Sequence, residues 1–193
     1  MDKVQLRQQL QGKLLKMTDD LCAQKSKKAF KNLISLPQFQ RASVIMMYLT
    51  MPNEIDTSDA VLYAWQQKKT VVVPRISWQQ RHMIPVEINS LENGFSTEFG
   101  GLRNPIKGQA IPFEDIDLVV TPGLGFDKRG NRLARGGAYY DRFFANKKLI
   151  ACKCGFAFSE QVVESIPVQQ HDMPVDILVT DEEIMDFGNL QGE

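Results

Sequence analysis

Cysteine is scarce in this chain: Cys22, Cys152 and Cys154 are the three present among 193 residues. An odd count with no C-x-x-C pair excludes a disulfide framework, and it leaves reduced thiols of the kind cytosolic proteins carry. Neither of the two histidines lies near a cysteine in sequence, so zinc has no local ligand pair. Neither sign of charge is in excess, because Lys+Arg and Asp+Glu both number 23. Without a global field, broad attraction to nucleic acid or to an anionic membrane is not expected. No apolar run approaches the roughly 18 residues of a membrane span. Met1-Asp2-Lys3 opens a polar amphipathic segment, which does not resemble a secretory signal. The expected location is the cytoplasm. Two common nucleotide motifs are missing as well. No GxxxxGK[ST] occurs, and Lys128 stands where Gly123-x-Gly125 would need a third glycine.

What is present is a globular composition, 43% hydrophobic and 24% charged, in a length that suits one core and a single domain over 1–193. Leu6, Leu10, Leu14, Met17 and Leu21 recur at helical spacing and predict one continuous helical face. Ala29, Phe30, Leu33, Ile34 and Leu36 extend a helical pattern until Pro37 stops it. Thr57 and Ser58 are candidate N-caps for a helix reaching Lys68, and Tyr139 to Asn146 reads as another helix. Apolar runs predict strands at 44–49, 70–73 (ended by Pro74), 83–88, 117–121, 149–152 and 175–179. Cys152 and Cys154 would share one strand face. Apolar strands separated by helices predict a three-layer α/β/α fold with a mostly parallel sheet and helices on both faces. Ligands in such sheets bind at the carboxyl ends of the strands. That rim would gather Leu49–Glu54, Pro74–Arg75 and the segment after Thr121.

The segment Pro122–Arg142 holds five glycines and five Lys/Arg residues, then runs into Tyr139-Tyr140-Asp141. Glycine permits close backbone approach, and cations with oriented N–H groups attract phosphate oxygens. Strand, glycine-rich basic loop and helix together make a phosphate site, with an ordinary exposed loop as the plain alternative.

The order of residues in that loop resembles the 5-formyltetrahydrofolate cyclo-ligase (5,10-methenyltetrahydrofolate synthetase) family. The shared pattern is Pro-Gly-Leu-Gly-Phe-Asp-x-x-Gly-x-Arg-Leu, followed by Tyr-Tyr-Asp-Arg, at 122–142. Other family elements follow in order: Lys3 and Arg7; Met51, Glu54, Ile55 and Thr57; Val-Pro-Arg at 73–75; and His171 to Asp176. They cover nearly the whole chain. The resemblance implies an enzyme that uses ATP and Mg2+ to close 5-formyltetrahydrofolate into 5,10-methenyltetrahydrofolate, releasing ADP and phosphate. It also implies the partners, ATP and a reduced folate. A monomer is expected, and the balanced charge and short apolar runs predict neither a nucleic-acid nor a membrane partner.

The same resemblance implies site residues. Arg132 and Arg135 would be catalytic cations. ATP would lie along Lys3, Arg7 and the loop Arg132, Leu133, Ala134, Arg135, Gly136, Gly137, Ala138, Tyr139 and Tyr140. The folate would meet Leu49, Met51, Glu54, Arg135, Gly136, Gly137, Ala138 and Tyr139. Asp141 and Asp172 would hold magnesium, which commonly takes only one or two protein carboxylates. Each role has a plain alternative: Arg132 as a solvated loop residue, one of the two tyrosines as core, Lys3 and Arg7 as a solvated helix face. The chain departs from the family pattern at Ala134 and Ala138, where glycine is usual, and at Asn104, where relatives often have an acid before the proline. Alanine would be strained at either position if the backbone there were left-handed. Two rivals stand beside the cyclo-ligase. One is a non-catalytic nucleotide- or RNA-binding descendant, stacking bases on the tyrosines. The other is an enzyme of the same scaffold acting on a sugar phosphate or CoA thioester.

Overall fold

The architecture comes from a computed structural model that describes residues 1–188. In chain order the elements are helix α1 (Lys3–Leu14), α2 (Asp19–Ser35), α3 (Pro37–Arg41), strand β1 (Val44–Met46), α4 (Ser58–Gln66), β2 (Thr70–Ser77) and β3 (His82–Glu87). Then come β4 (Phe95–Thr97), β5 (Arg103–Pro105), β6 (Leu118–Thr121), β7 (Gly125–Asp127), β8 (Arg132–Leu133) and α5 (Tyr139–Phe144). The last four are β9 (Cys152–Phe156), β10 (Val162–Val163), β11 (Ile177–Val179) and β12 (Ile184–Asp186).

Seven strands form the main sheet in the order β12-β11-β9-β6-β1-β2-β3. The five central strands run parallel, and β3 and β12 close the edges antiparallel. Alternation decides which side chain meets which layer. Ile45, Val71, Val73, Leu118, Val120, Cys154 and Phe156 pack with buried residues of α1, α2 and α4. Met46, Val72 and Val119 point the other way, onto Phe143 and Phe144 of α5. Helices therefore cover both faces of a mostly parallel sheet, as the apolar runs imply.

Several boundaries differ from the sequence reading, each for a local reason. The single helical face expected from Leu6 to Leu21 is two helices. Thr18 Oγ1 accepts from Leu21 N at 3.3 Å, and Asp19 and Asp20 occupy the first turn of α2, where the helix dipole favours acids. Leu6, Leu10 and Leu14 are buried, whereas Leu21 is exposed. Pro37 both stops α2 and starts α3 at its first position, where no N–H is required. Thr57 precedes α4 but does not cap it; its hydroxyl donates to Tyr48 O at 2.7 Å, tying α4 to the β1 exit.

Pro74 does not end β2, which runs on to Ser77. Pro74 faces Pro85 across β3, and Pro85 O accepts from Ile111 N on the side away from β2. The pair thus needs no N–H from either ring. The strand expected at 149–152 instead occupies 152–156. Asn146 closes a turn there, its carbonyl and side chain accepting from Leu149 N and Lys148 N, and Ile150 is exposed. β1 ends at Met46, although 47–49 remain buried.

The glycine-rich segment is not one open loop. It contains the β7–β8 hairpin, which joins β10 in a small three-stranded sheet. Asp127, buried at the turn, accepts from the N–H groups of Arg129, Asn131 and Ile166. Gly130 closes that turn at φ 81°, with Val175 O so near that a Cβ would lie 2.6 Å from it.

Candidate active site

A cavity of about 650 Å3 opens at the carboxyl ends of β1, β2 and β6. Tyr48, Leu49 and Met51 to Glu54, leaving β1, form one wall. Pro74, Ile76 and Trp78 of β2 and its turn form another, and Pro122 and Gly123 after β6 a third. Arg132, Ala134, Arg135, Gly136, Tyr139 and Tyr140 complete it from the glycine-rich segment. Residues distant in sequence meet here because parallel strands end on one rim.

Arg132 is not a solvated loop residue: 2% of its side chain is exposed. Nη2 donates to Asp141 Oδ1 at 3.0 Å, and the guanidinium lies 5.4 Å from the Tyr140 ring centroid and 5.9 Å from that of Phe144. Its Nε and the Tyr140 hydroxyl are buried polar atoms without a partner among the described residues. Such atoms call for an explanation, and a ligand in the cavity that both residues line is one. Burial, and then the charge of Glu54, raise the Tyr140 hydroxyl pKa, so the hydroxyl stays a proton donor.

The Glu54 side chain is buried, 6% exposed, while that of Arg135 is partly open. Arg135 Nε donates to Glu54 Oε1 at 3.1 Å, and Met51 N donates to Oε2 at 3.0 Å. Desolvation raises the Glu54 carboxyl above its ordinary value, against the lowering pull of Arg135 and Met51 N. Because the folded state holds that proton better than the unfolded one, Glu54 favours folding at low pH. The favour is lost as pH rises through its folded pKa.

Lys3 and Arg7 project from one side of α1 and both reach the site loops. Lys3 Nζ pairs with Asp172, and Arg7 Nε donates to Ala134 O at 2.9 Å. Burial pushes the Asp172 carboxyl up, but hydrogen bonds from Lys3 and Gln169 N outweigh it and hold it below its ordinary value. Asp141 lies beside this segment, its Oδ1 also accepting from Met173 N at 3.2 Å.

Of the residues proposed for ATP and folate, Leu49, Met51, Glu54, Arg132, Ala134, Arg135, Gly136, Tyr139 and Tyr140 line the cavity. Lys3, Arg7, Gly137, Ala138, Asp141 and Asp172 lie behind or beside that lining. Leu133 is buried in the main core, so its side chain does not line the cavity. Both tyrosines are half-buried and line the cavity, so neither is simply core. Tyr139 packs edge-on against Trp78, ring centroids 5.8 Å apart.

The two departures from glycine separate. Ala138 is left-handed, at φ 50° and ψ 34°, immediately before α5, whereas Ala134 is not among the residues with positive φ. Gly136 and Gly137, at φ 134° and 76°, precede Ala138. Asn104 is buried, accepting from Ile76 N at 2.8 Å and donating to Ile76 O at 3.0 Å and to Glu98 Oε1 at 2.8 Å. An ionised acid could not make those two donations. Sequence reading missed Tyr48, Trp78, Met83 and Arg103 as cavity residues. Tyr48 stood in a run read as strand; Trp78, in a turn, carried no pattern to mark it.

Comparison with known proteins gives the family. Residues 1–181 match the model of the 5-formyltetrahydrofolate cyclo-ligase family. The chain belongs to that family. It is 30% identical over 182 residues to a mouse 5-formyltetrahydrofolate cyclo-ligase, covering 89% of each chain. It is also 30% identical to the Haemophilus influenzae protein of the same name, covering 91% of this chain and 98% of that one. In structure it resembles 5,10-methenyltetrahydrofolate synthetase from Aquifex aeolicus, with a TM-score of 0.83 at 28% identity, covering 97% and 93% of the two chains. As a member of the cyclo-ligase family the chain is an enzyme, a ligase of folate chemistry. No described helix is long and apolar enough to cross a membrane.

The cyclo-ligase resemblance implies magnesium, and the carboxylates can be tested against it. Among the described residues no group of three His, Cys, Asp or Glu side chains forms a metal cage. Magnesium on a nucleotide does not need one, since phosphate oxygens and waters fill most of its positions. Asp141 and Asp172 sit on adjoining segments. The hydrogen bonds to each use one oxygen, Oδ1 of Asp141 and Oδ2 of Asp172. Two carboxylates, each with a second oxygen to offer, fit a phosphate-bound magnesium.

Proposed function

We propose that this cavity binds 5-formyltetrahydrofolate and ATP together and closes the folate to 5,10-methenyltetrahydrofolate. The observation that carries the reading is the wall shared by Arg132, Arg135 and Glu54 in a mostly apolar cavity of a cyclo-ligase family chain. An N-formyl group is a poor electrophile with a poor leaving oxygen. In the proposed course that oxygen attacks the γ-phosphorus of ATP, and the bond from γ-phosphorus to the bridging oxygen breaks to release ADP. The N10 lone pair then attacks the activated formyl carbon. The carbon–oxygen bond breaks, phosphate leaves with the former formyl oxygen, and N10 gives up its proton.

Phosphoryl transfer of this kind needs position and charge more than a covalent catalyst. Arg132, held by Asp141 and packed on Tyr140, is a preset cation for phosphate oxygens. Arg135 can leave Glu54 to meet the transferred group, and Glu54 then accepts from the pterin. Leu49 and Met51 offer apolar contact to the folate. Tyr139 and the backbone of Gly136, Gly137 and Ala138 shape the space between the substrates. Lys3 and Arg7 add positive charge from α1. Asp141 and Asp172 would hold magnesium, which neutralises charge on the ATP phosphates. We place the enzyme in the cytoplasm, as a monomer.

The test is purified protein with 5-formyltetrahydrofolate, ATP and Mg2+, followed by the absorbance of the methenyl product. Turnover that requires all three is expected. No turnover from well-folded protein would favour the nucleotide- or RNA-binding alternative.

A further inference from the structure

Three arginines line the cavity, and two of them already face acids: Arg132 pairs with Asp141, and Arg135 with Glu54. Arg103 is the third, and among the described residues it forms no ion pair. It lies on β5 opposite Thr97. The next residue, Asn104, turns to the other side of the strand, toward Ile76 and Glu98. Arg103 Nη1 donates to Leu91 O at 2.8 Å, and its guanidinium carbon lies 5.7 Å from the Phe95 ring centroid. These two contacts hold the guanidinium plane, while Nε and Nη2 have no partner among the described residues. A planar fork fixed on one side and open on the other is suited to a carboxylate.

The cavity it lines is mostly apolar, with Ile76, Met83 and Leu102 among its groups. They give an anion no competing partner and exclude part of the water that would screen the charge. The cyclo-ligase reading, on which this step rests, puts the reacting pterin end of the folate beside Arg135 and Glu54. The other end of a folate is glutamate, which carries its carboxylates. We propose that Arg103 binds a carboxylate of that glutamate and so selects glutamylated folates over carboxylate-free ones. Arg103 is thus a specificity residue, remote from the bonds that change.

The experiment compares 5-formyltetrahydrofolate with its carboxylate-free counterpart, 5-formyltetrahydropteroyl methylamide, on the full-length enzyme. Arg103→Gln is expected to raise KM for 5-formyltetrahydrofolate about tenfold, the scale of one charged hydrogen-bonded pair. Its kcat should hold within about twofold, as for binding energy that is equal in ground and transition states. KM for the methylamide should not move, and Arg103→Lys should recover part of the discrimination. A KM that shifts equally for both substrates, or for neither, overturns the proposal. Should Arg103→Gln fail to fold, the wild-type enzyme still decides. It must prefer the carboxylated substrate by about tenfold in KM, and equal values overturn the role of Arg103 alone. Turnover of neither substrate by folded wild-type enzyme overturns the cyclo-ligase reading itself.

Discussion

Arg132 is buried with Asp141, so a change at either partner has two consequences. Arg132→Ala should lower kcat about 100-fold, the order seen when one preset donor to a developing charge is removed. It should also cost about 3 kcal/mol of stability, because Asp141 is left buried and unpaired. Rate measurements beside urea unfolding separate the two effects, and near-normal turnover would move the phosphate clamp elsewhere. Ala138 gives the opposite sign. An L-residue at φ 50° is strained where glycine is not. Ala138→Gly is therefore expected to stabilise the fold by about 1 kcal/mol in urea melts, with ATP binding unchanged or tighter. That two alanines depart from the family pattern is visible in the residues. That Ala138 alone is left-handed depends on how the chain enters α5, which residue identity does not encode.

At the scale of elements, α1 is held to the site by side chains rather than by its own loop. Lys3 pairs with Asp172, Arg7 donates to Ala134 O, and Leu10 packs where a Cβ on Gly125 would come within 2.6 Å of it. Asp172 has its pKa lowered in the folded state, so its share of stability is present above the unfolded carboxylate value, ordinarily 3.8. That share is lost as pH falls through the folded pKa. Asp172→Asn should thus cost about 1 kcal/mol from neutral pH down to about 5, and little near pH 2. Unfolding measured across that range checks the sign; a penalty that grows in acid would contradict it. The elements themselves were partly legible. Apolar runs marked the central strands because both faces of a parallel sheet are buried. Their ends were less legible: Pro74 continues β2 because its partner is Pro85, and β9 begins late because Asn146 closes a turn. Both reasons lie in neighbours, not in the run itself.

For the whole molecule, the proposed meeting of ATP and folate in one cavity would make stability a reporter of binding. ATP with Mg2+ should raise the melting temperature, and ATP with a chelator should raise it less, since Asp141 and Asp172 would then repel the phosphates unshielded. Adding 5-formyltetrahydrofolate at 100 times its Kd should contribute about 2.7 kcal/mol. A folate effect without any ATP effect would remove Lys3, Arg7 and Arg132 from the nucleotide site. The sequence by itself determined the α/β class, the parallel strands whose carboxyl ends build the rim, and the family, because apolar periodicity and ordered motifs are local properties of the chain. Only the tertiary structure decided that Arg132 is buried on Asp141, that Leu133 faces the core, and that Trp78 and Arg103 enter the cavity. Those outcomes are set by which distant segments pack together, and packing is a property of the folded whole.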